Sequence, residues 1–181
     1  MGWSVVETGA GWRFFVRAEN GALTSGALAT NAAPRWGDWP QDQRDDGDAL
    51  LREACLQIRA YFDRKLTEFT LPLNLGGTPF RRSVWDLLVK IPYGQTRCYL
   101  DLAIDLGQPG AARAVGSANG ANPLPVIVPC HRVIASSGGL GGYAYGLDLK
   151  QTLLDLEGAK TPPRQERLFD KSAHSARRFS R

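Results

Sequence analysis

Two adjacent residues, Cys130 and His131 in "NPLPVIVPCHRVI", are the pair in this chain best suited to covalent chemistry. A cysteine is a poor nucleophile as a thiol and a good one as a thiolate, so a neighbouring base would make Cys130 reactive. The other reading is a buried structural thiol that happens to precede a histidine. The apolar run "LPVIVPC" reads as a buried strand, with Pro129 ending its pairing and fixing the backbone before Cys130. If the strand ran on through the pair, the two side chains would point to opposite faces and never meet. Either the backbone turns at this point, or a third group such as water connects them.

A carboxylate downstream is the third candidate. In "LDLKQTLLDLEG", Leu149, Leu153, Leu154 and Leu156 mark a helix that Gly158 stops, and Glu157 falls one turn after Leu153, beside the inward stripe. A charge at the edge of a buried face needs a partner. His131 is suitable, which gives a Cys-His-Glu relay; a structural salt bridge or an exposed glutamate are the alternatives on spacing alone. The remaining cysteines offer less chemistry. Cys55 lies on the apolar stripe of a helix beginning at Asp48, with Leu51, Ala54, Ile58 and Phe62, and reads as packing. Three cysteines, no CxxC and two histidines, His131 and His174, argue against both a disulfide framework and a structural zinc site, so no metal is expected.

The elements that must position these groups are legible in part. Asn20-Gly21 is a two-residue turn signal between two runs able to pair as a hairpin. "NAAPRWGDWPQDQRDDGD" reads as a loop, and "TEFTLPLNL" as a strand with Phe69, Leu71 and Leu73 on one face. Gly76-Gly77 marks a domain boundary. Thr78 then serves as N-cap and Pro79 as first residue of a helix carrying Phe80, Val84, Leu87, Leu88 and Ile91. "TRCYLDLAIDLGQPGAARAVGSANGAN" has the layout of a helix-turn-helix with its corner at Gln108-Pro109-Gly110. In the second helix Ala111, Ala112, Ala114, Gly116, Ser117 and Ala118 surround one long side chain, Arg113. Small residues permit close approach to another surface, either the protein core or a nucleic-acid groove. The face lacks the Lys/Arg density of ordinary major-groove readers.

Composition bounds the function classes. The 181 residues are 43% hydrophobic and 22% charged, as in a globular protein, and no apolar run reaches the roughly 20 residues of a membrane helix. The start, "MGWSVVETGAGWRFF", lacks the pattern of a secretory signal, so a cytoplasmic, unsecreted protein is expected. The net charge of +4 is unevenly placed: seven of the 22 Lys/Arg but only two of the 18 Asp/Glu lie from Lys160 onward, so residues 1–159 carry 15 positive and 16 negative charges. The basic tail reads as disordered.

Taken in order, "TPFRRSVWDLLVKIPYGQT", "GAARAVGSANGANPLPVIVPCHRVI", "GGLGGYAYGL" and "LLDLEG" resemble the O6-alkylguanine-DNA alkyltransferases, also called methylated-DNA–protein-cysteine methyltransferases. The resemblance is dense from Thr78 to Gly158 and looser from about Leu50 to Leu75. It implies an α+β chain with a ribonuclease-H-like α/β domain over residues 1–75, a mainly helical, winged helix-turn-helix-like alkyltransferase domain over 78–160 and the tail from 161 to 181. It implies single-turnover DNA repair, in which Cys130 irreversibly accepts the alkyl group from O6-alkylguanine, and O4-alkylthymine as a further substrate, in duplex DNA. His131 takes the thiol proton through a water, Glu157 polarises the imidazole, Tyr99 donates to the departing guanine, and Asn122 braces the turn between the second helix and the active-site strand.

By the same resemblance, the second helix enters the minor groove and Arg113 replaces the extruded nucleotide. Val133, Tyr143, Ala144, Tyr145 and Gly146 line the pocket. No cofactor is implied, and the family acts as a monomer, in the cytoplasm and at the nucleoid of a bacterium. Two positions depart from the family pattern. Tyr145 stands where a small residue is common and would narrow the pocket, and Cys98 replaces a common serine helix cap. The zinc ligands of some members have no counterparts. Two further readings retain DNA as partner: alkyltransferase-like proteins, which recognise the lesion but lack the reactive cysteine, and alkylation-sensing regulators, which carry an additional domain. An unrelated thiol hydrolase would act without DNA.

Overall fold

Asn20 and Gly21 both take positive φ, 50° and 76°, and so close a two-residue turn whose twist suits the strands it joins. The computed structural model describes residues 1–9, 11–29 and 37–159; the basic tail and residues 30–36 lie outside them. The hairpin strands are β2 (Arg13–Glu19) and β3 (Ala22–Ala29), and β1 (Gly2–Glu7), unforeseen in the sequence, adds to β2. The order is β1-β2-β3, antiparallel throughout, with Val5 opposite Phe15 and Phe15 opposite Ala27. Both faces of this sheet are covered. Phe14, Val16 and Leu23 enter the main core, whereas Trp3, Phe15 and Ala27 pack with Trp39 on the other side. The run Phe14-Phe15-Val16 is therefore buried without alternation.

Asp48 caps α1 (Ala49–Phe62) by accepting from Leu51 N at 2.8 Å, and Leu51, Ala54, Ile58, Tyr61 and Phe62 form its buried stripe. Cys55 is half-buried at the margin of that stripe, 3.7 Å from Ser4 Oγ. The strand expected over "TEFTLPLNL" does not form. It reduces to one bridge, Leu23 to Leu73, with Leu23 N donating to Pro72 O and Asn74 N to Leu23 O. The alternation of half-buried Phe69, Leu71 and Leu73 is present, but Pro72 has no N–H with which to continue a ladder.

Thr78 accepts from Arg81 N and Pro79 opens α2 (Pro79–Val89), whose buried face adds Trp85 to the expected Val84 and Leu88. A short parallel pair, β4 (Arg97–Cys98) with β5 (Val133–Ile134), brackets the helix-turn-helix of α3 (Tyr99–Asp105) and α4 (Ala112–Gly120). Pro109–Ala111 form a tight 3-10 turn between the two helices. The Asp101 carboxylate accepts from Cys98 N at 2.8 Å, so α3 is capped although Cys98 supplies no hydroxyl. Trp85 Nε1 donates to Ala118 O at 2.9 Å and fixes α4 against α2. The last helix is α5 (Leu147–Leu156).

One hydrophobic core runs through both parts of this mixed helix-and-sheet chain, joining Leu23, Ile58 and Tyr61 to Val84, Leu88, Leu124 and Leu153. The edge of β3 closes against the segment ahead of Cys130, with Gly26 N donating to Pro123 O at 2.8 Å. A Cβ at Gly26 would stand 2.8 Å from Leu124 Cδ1 and 2.9 Å from Phe14 Cε1, so only glycine permits this approach. No helix of the described residues is long and apolar enough to cross a membrane.

Candidate active site

The residues leading to Cys130 are fully buried from Leu124 onward, as expected, but they are a looped turn and not a strand. Pro123, Pro125 and Pro129 cannot donate to a ladder, so the backbone bonds to itself: Val128 N to Leu124 O and Cys130 N to Val128 O. Asn122 holds the loop at both ends, donating from Nδ2 to Val128 O at 2.7 Å and accepting from Leu124 N at 3.0 Å. Val126 takes φ of 72°, a costly conformation for a β-branched residue, which the surrounding bonds maintain. Cys130–Arg132 then form a single 3-10 turn. That turn redirects His131 away from the alternation a strand would impose.

His131 is wholly buried, and its Nε2 lies 2.9 Å from Glu157 Oε1. Glu157, which caps the C-terminal end of α5, is a hub. Its Oε1 also accepts from Tyr61 Oη at 2.7 Å and Arg132 Nη2 at 2.9 Å, and its Oε2 from Arg132 Nε at 2.9 Å and Gly94 N at 3.2 Å. Burial alone would raise the Glu157 pKa, but the bonds from His131 and Arg132 outweigh it and draw it down to about 2. The carboxylate is therefore ionised and only accepts. It follows that His131 carries its proton on Nε2, leaving Nδ1 with a free lone pair. Nδ1 has no hydrogen-bond partner among the described residues. Burial also lowers the imidazole pKa, against the pull of Glu157, so His131 is neutral at pH 7 and able to take a proton.

Cys130 forms part of the wall of a cavity of about 880 Å³ that also involves Tyr99, Gly116, Asn122, Tyr143 and Tyr145. Burial raises its thiol pKa, while the Asn122 amide, the Lys150 charge and the Tyr143 hydroxyl pull the other way. It rests as a thiol and needs a base, which distinguishes it from a cysteine preset as thiolate. Lys150 is fully buried on α5, and its Nζ donates to the carbonyls of Val133, Leu140 and Gly142, tying the loop before Tyr143 to β5. Tyr99 Oη donates to Gly142 O at 3.4 Å. Burial raises its pKa above that of an ordinary phenol, so Tyr99 stays protonated at neutral pH.

The remaining expected site residues divide. Tyr143, Ala144 and Tyr145 line the cavity; Val133 and Gly146 do not. Val133 is buried in β5, opposite Arg97, and Gly146 is the N-cap of α5 with φ of 91°. On α4 the side chains of Arg113, Ala114 and Ser117 are exposed together, Gly116 faces the cavity, and Ala112 packs partly on the core. Ala111 belongs to the preceding 3-10 turn.

A family described as "6-O-methylguanine DNA methyltransferase, DNA binding domain" matches residues 79–159. A methylated-DNA–protein-cysteine methyltransferase of Methanosarcina barkeri is 51% identical over 120 residues, covering 66% of this chain and 73% of that protein. The chain belongs to the methylated-DNA–protein-cysteine methyltransferase family. Among solved structures, Mycobacterium tuberculosis OGT in complex with DNA matches with a TM-score of 0.76 at 40% identity, over 90% of this chain and 96% of that one. An O6-methylguanine DNA methyltransferase of Methanococcus jannaschii matches with a TM-score of 0.61 at 28% identity, over 87% and 95%.

For a member of the methylated-DNA–protein-cysteine methyltransferase family, the matched segment holds Cys130, His131 and Glu157 but not Tyr61, which α1 supplies. Tyr61, Arg132 and Lys150 are the site residues that sequence reading missed. Each left a trace. Tyr61 and Lys150 put a polar tip on an apolar helical stripe, and Arg132 directly follows the Cys-His pair.

Proposed function

We propose that this chain repairs DNA by moving the alkyl group from O6 of an alkylated guanine in a duplex to the sulfur of its own Cys130, once per molecule. The observation that carries the assignment is the buried His131, held by Glu157 through Nε2 at 2.9 Å with its Nδ1 unpartnered, next to a cysteine that lines a cavity. His131 Nδ1 takes the Cys130 proton through a water. The thiolate attacks the alkyl carbon, the S–C bond forms as the C–O6 bond breaks, and the electron pair leaves with the guanine. Tyr99 supplies a hydrogen bond or proton to that leaving base. The product is a thioether without a good leaving group, so the protein remains alkylated. The DNA is the alkyl donor, and the chemistry calls for no cofactor.

Duplex DNA is the partner in this reading, met by α4. Arg113 stands exposed between small side chains, suited to entering the minor groove and filling the place of a flipped nucleotide. Ala114 and Ser117 let the helix approach, with Ala111 and Ala112 at its start. We read residues 1–75 as a ribonuclease-H-like half-domain and 78–160 as a winged helix-turn-helix-like alkyltransferase domain, acting as a monomer in the cytoplasm, at the nucleoid in a bacterium. A lesion-recognition protein without transfer is not favoured, since Cys130 is present and lines the cavity. Intact-protein and peptide mass spectrometry after mixing with excess duplex containing one O6-methylguanine tests the reading. One methyl group on the Cys130 peptide, with guanine restored and no gain in Cys130→Ser, is expected; tight binding without a mass change would move the chain to the recognition-only class.

A further inference from the structure

Glu157 gathers its hydrogen bonds from separate parts of the chain. His131 and Arg132 share one 3-10 turn and Gly94 follows α2, whereas Tyr61 lies on α1, outside the family-matched residues 79–159. Tyr61 makes the shortest of these contacts, from Oη to Oε1 at 2.7 Å, on the oxygen that His131 Nε2 meets at 2.9 Å. The phenol is fixed in place. Tyr61 is 0% exposed, and its ring centroid lies 5.3, 5.4 and 6.0 Å from those of Phe62, Phe69 and Tyr93. Among the described residues, the charged and titratable groups facing His131 and Glu157 are Cys130 and Arg132 on the turn itself, Lys150 on α5, Tyr93 beside Gly94, and Tyr61.

We propose that Tyr61 is a positioning residue for the transfer, its hydroxyl holding Glu157 Oε1 against His131 Nε2, so that the N-terminal part supplies a member of the proton relay; this rests on the alkyl-transfer reading above. The terminal torsion of a glutamate is soft and must be set by its partners. The Arg132 fork reaches both carboxylate oxygens and sets their plane, but it comes from the turn that carries His131. Tyr61 ties Oε1 to a different, rigid element. Sharing the oxygen has a second effect: a hydrogen bond from the phenol stabilises the charge on Oε1 and so limits how strongly it favours a protonated imidazole. A phenol that had merely found a partner for a buried hydroxyl would bear on stability alone.

Single-turnover transfer from a duplex containing O6-methylguanine, followed against duplex concentration and pH, tests the proposal. Tyr61→Phe keeps the ring and removes only the hydroxyl. Its rate at saturating duplex is expected to fall roughly 3- to 10-fold, the range of one neutral hydrogen bond, with the half-saturating concentration unchanged because α4 is untouched. The acid limb of the pH–rate profile should move to higher pH, since Oε1, freed of one donor, favours the protonated imidazole. A tyrosine fluorinated beside its hydroxyl is a stronger donor of nearly the same shape; placed at position 61 it should move the limb to lower pH, and it decides the matter if the phenylalanine variant does not fold. A limb that does not move, or a saturating rate unchanged by Tyr61→Phe, would overturn the role of Tyr61 and leave it a packing residue. Failure of the wild type to transfer at all would instead overturn the alkyl-transfer reading itself.

Discussion

His131 Nε2 and Glu157 Oε1 meet at 2.9 Å with both side chains closed to solvent, and this contact decides which imidazole nitrogen is free to act as a base. Replacing Glu157 by Gln offers the ring a donor as readily as an acceptor and so permits the tautomer with its proton on Nδ1. Transfer by Glu157→Gln is expected to slow by about 10²-fold, the scale of a lost general base. The buried Arg132 loses its counter-charge in the same variant, which should cost about 3–5 kcal/mol of unfolding free energy. Single-turnover kinetics and urea unfolding measure the two effects separately; unchanged kinetics would remove Glu157 from the relay.

Acid should destabilise the protein in two stages. His131 has its pKa lowered by burial, so the unfolded chain binds a proton that the folded chain refuses once the pH falls below about 6.5. Glu157 has its folded pKa near 2, against 4.5 for the free group, so its contribution is complete above 4.5 and is lost as the pH falls from there towards 2. Unfolding free energy measured from pH 8 to pH 4 should be level at first, decline below about 6.5 and decline further below 4.5. A flat profile across this interval would mean that neither group is held as described.

Arg113 is exposed on α4, so Arg113→Ala should change unfolding free energy by no more than about 0.5 kcal/mol. Repair of a lesion within a duplex should nevertheless slow by about tenfold or more, because nothing then fills the vacated stack. Reaction with free O6-alkylguanine base needs no extrusion and should proceed at the wild-type rate. Equal losses on duplex and free base would place Arg113 elsewhere in the mechanism.

Tyr145 forms part of the cavity wall, its ring centroid 5.9 Å from that of Tyr143. Tyr145→Gly should raise the rate with O6-benzylguanine relative to O6-methylguanine by several-fold, and because the ring is only half-buried it should cost less stability than truncating a core aromatic. An unchanged ratio in competition between the two lesions would show that Tyr145 does not limit the size of the adduct.

Local signals in the sequence are the ones that the structure repeats, and legibility is lost where burial is two-sided. The Asn20-Gly21 hairpin, the Asp48 and Thr78 caps and the helix-turn-helix with its corner at Pro109 each depend on a few neighbouring residues, and each is present. Two-sided burial and proline within an apolar run each erase the period by which a strand is recognised. β1 buries Val6 in the main core on one face and Trp3 with Phe15 and Trp39 on the other, so "GWSVVE" shows little alternation, and "LPVIVPC" is buried like a strand yet folds as a turn because three nearby prolines withhold their donors. Glu157 was legible as a charge beside an apolar stripe in need of a partner. Its complete set of partners was not, since Tyr61 and Gly94 lie 96 and 63 residues away and nothing local links them.

The reach of Tyr61 to Glu157 has a thermodynamic consequence. The hydroxyl of a helix in the N-terminal part donates to the carboxylate that orients His131, while β3 bonds to the loop that ends at Cys130. The segment from α2 to α5 contains Cys130, His131 and Glu157, yet these bonds and a shared hydrophobic core join it to the N-terminal part, so the chain should melt as one cooperative unit, losing sheet structure and the packing around Cys130 in a single transition.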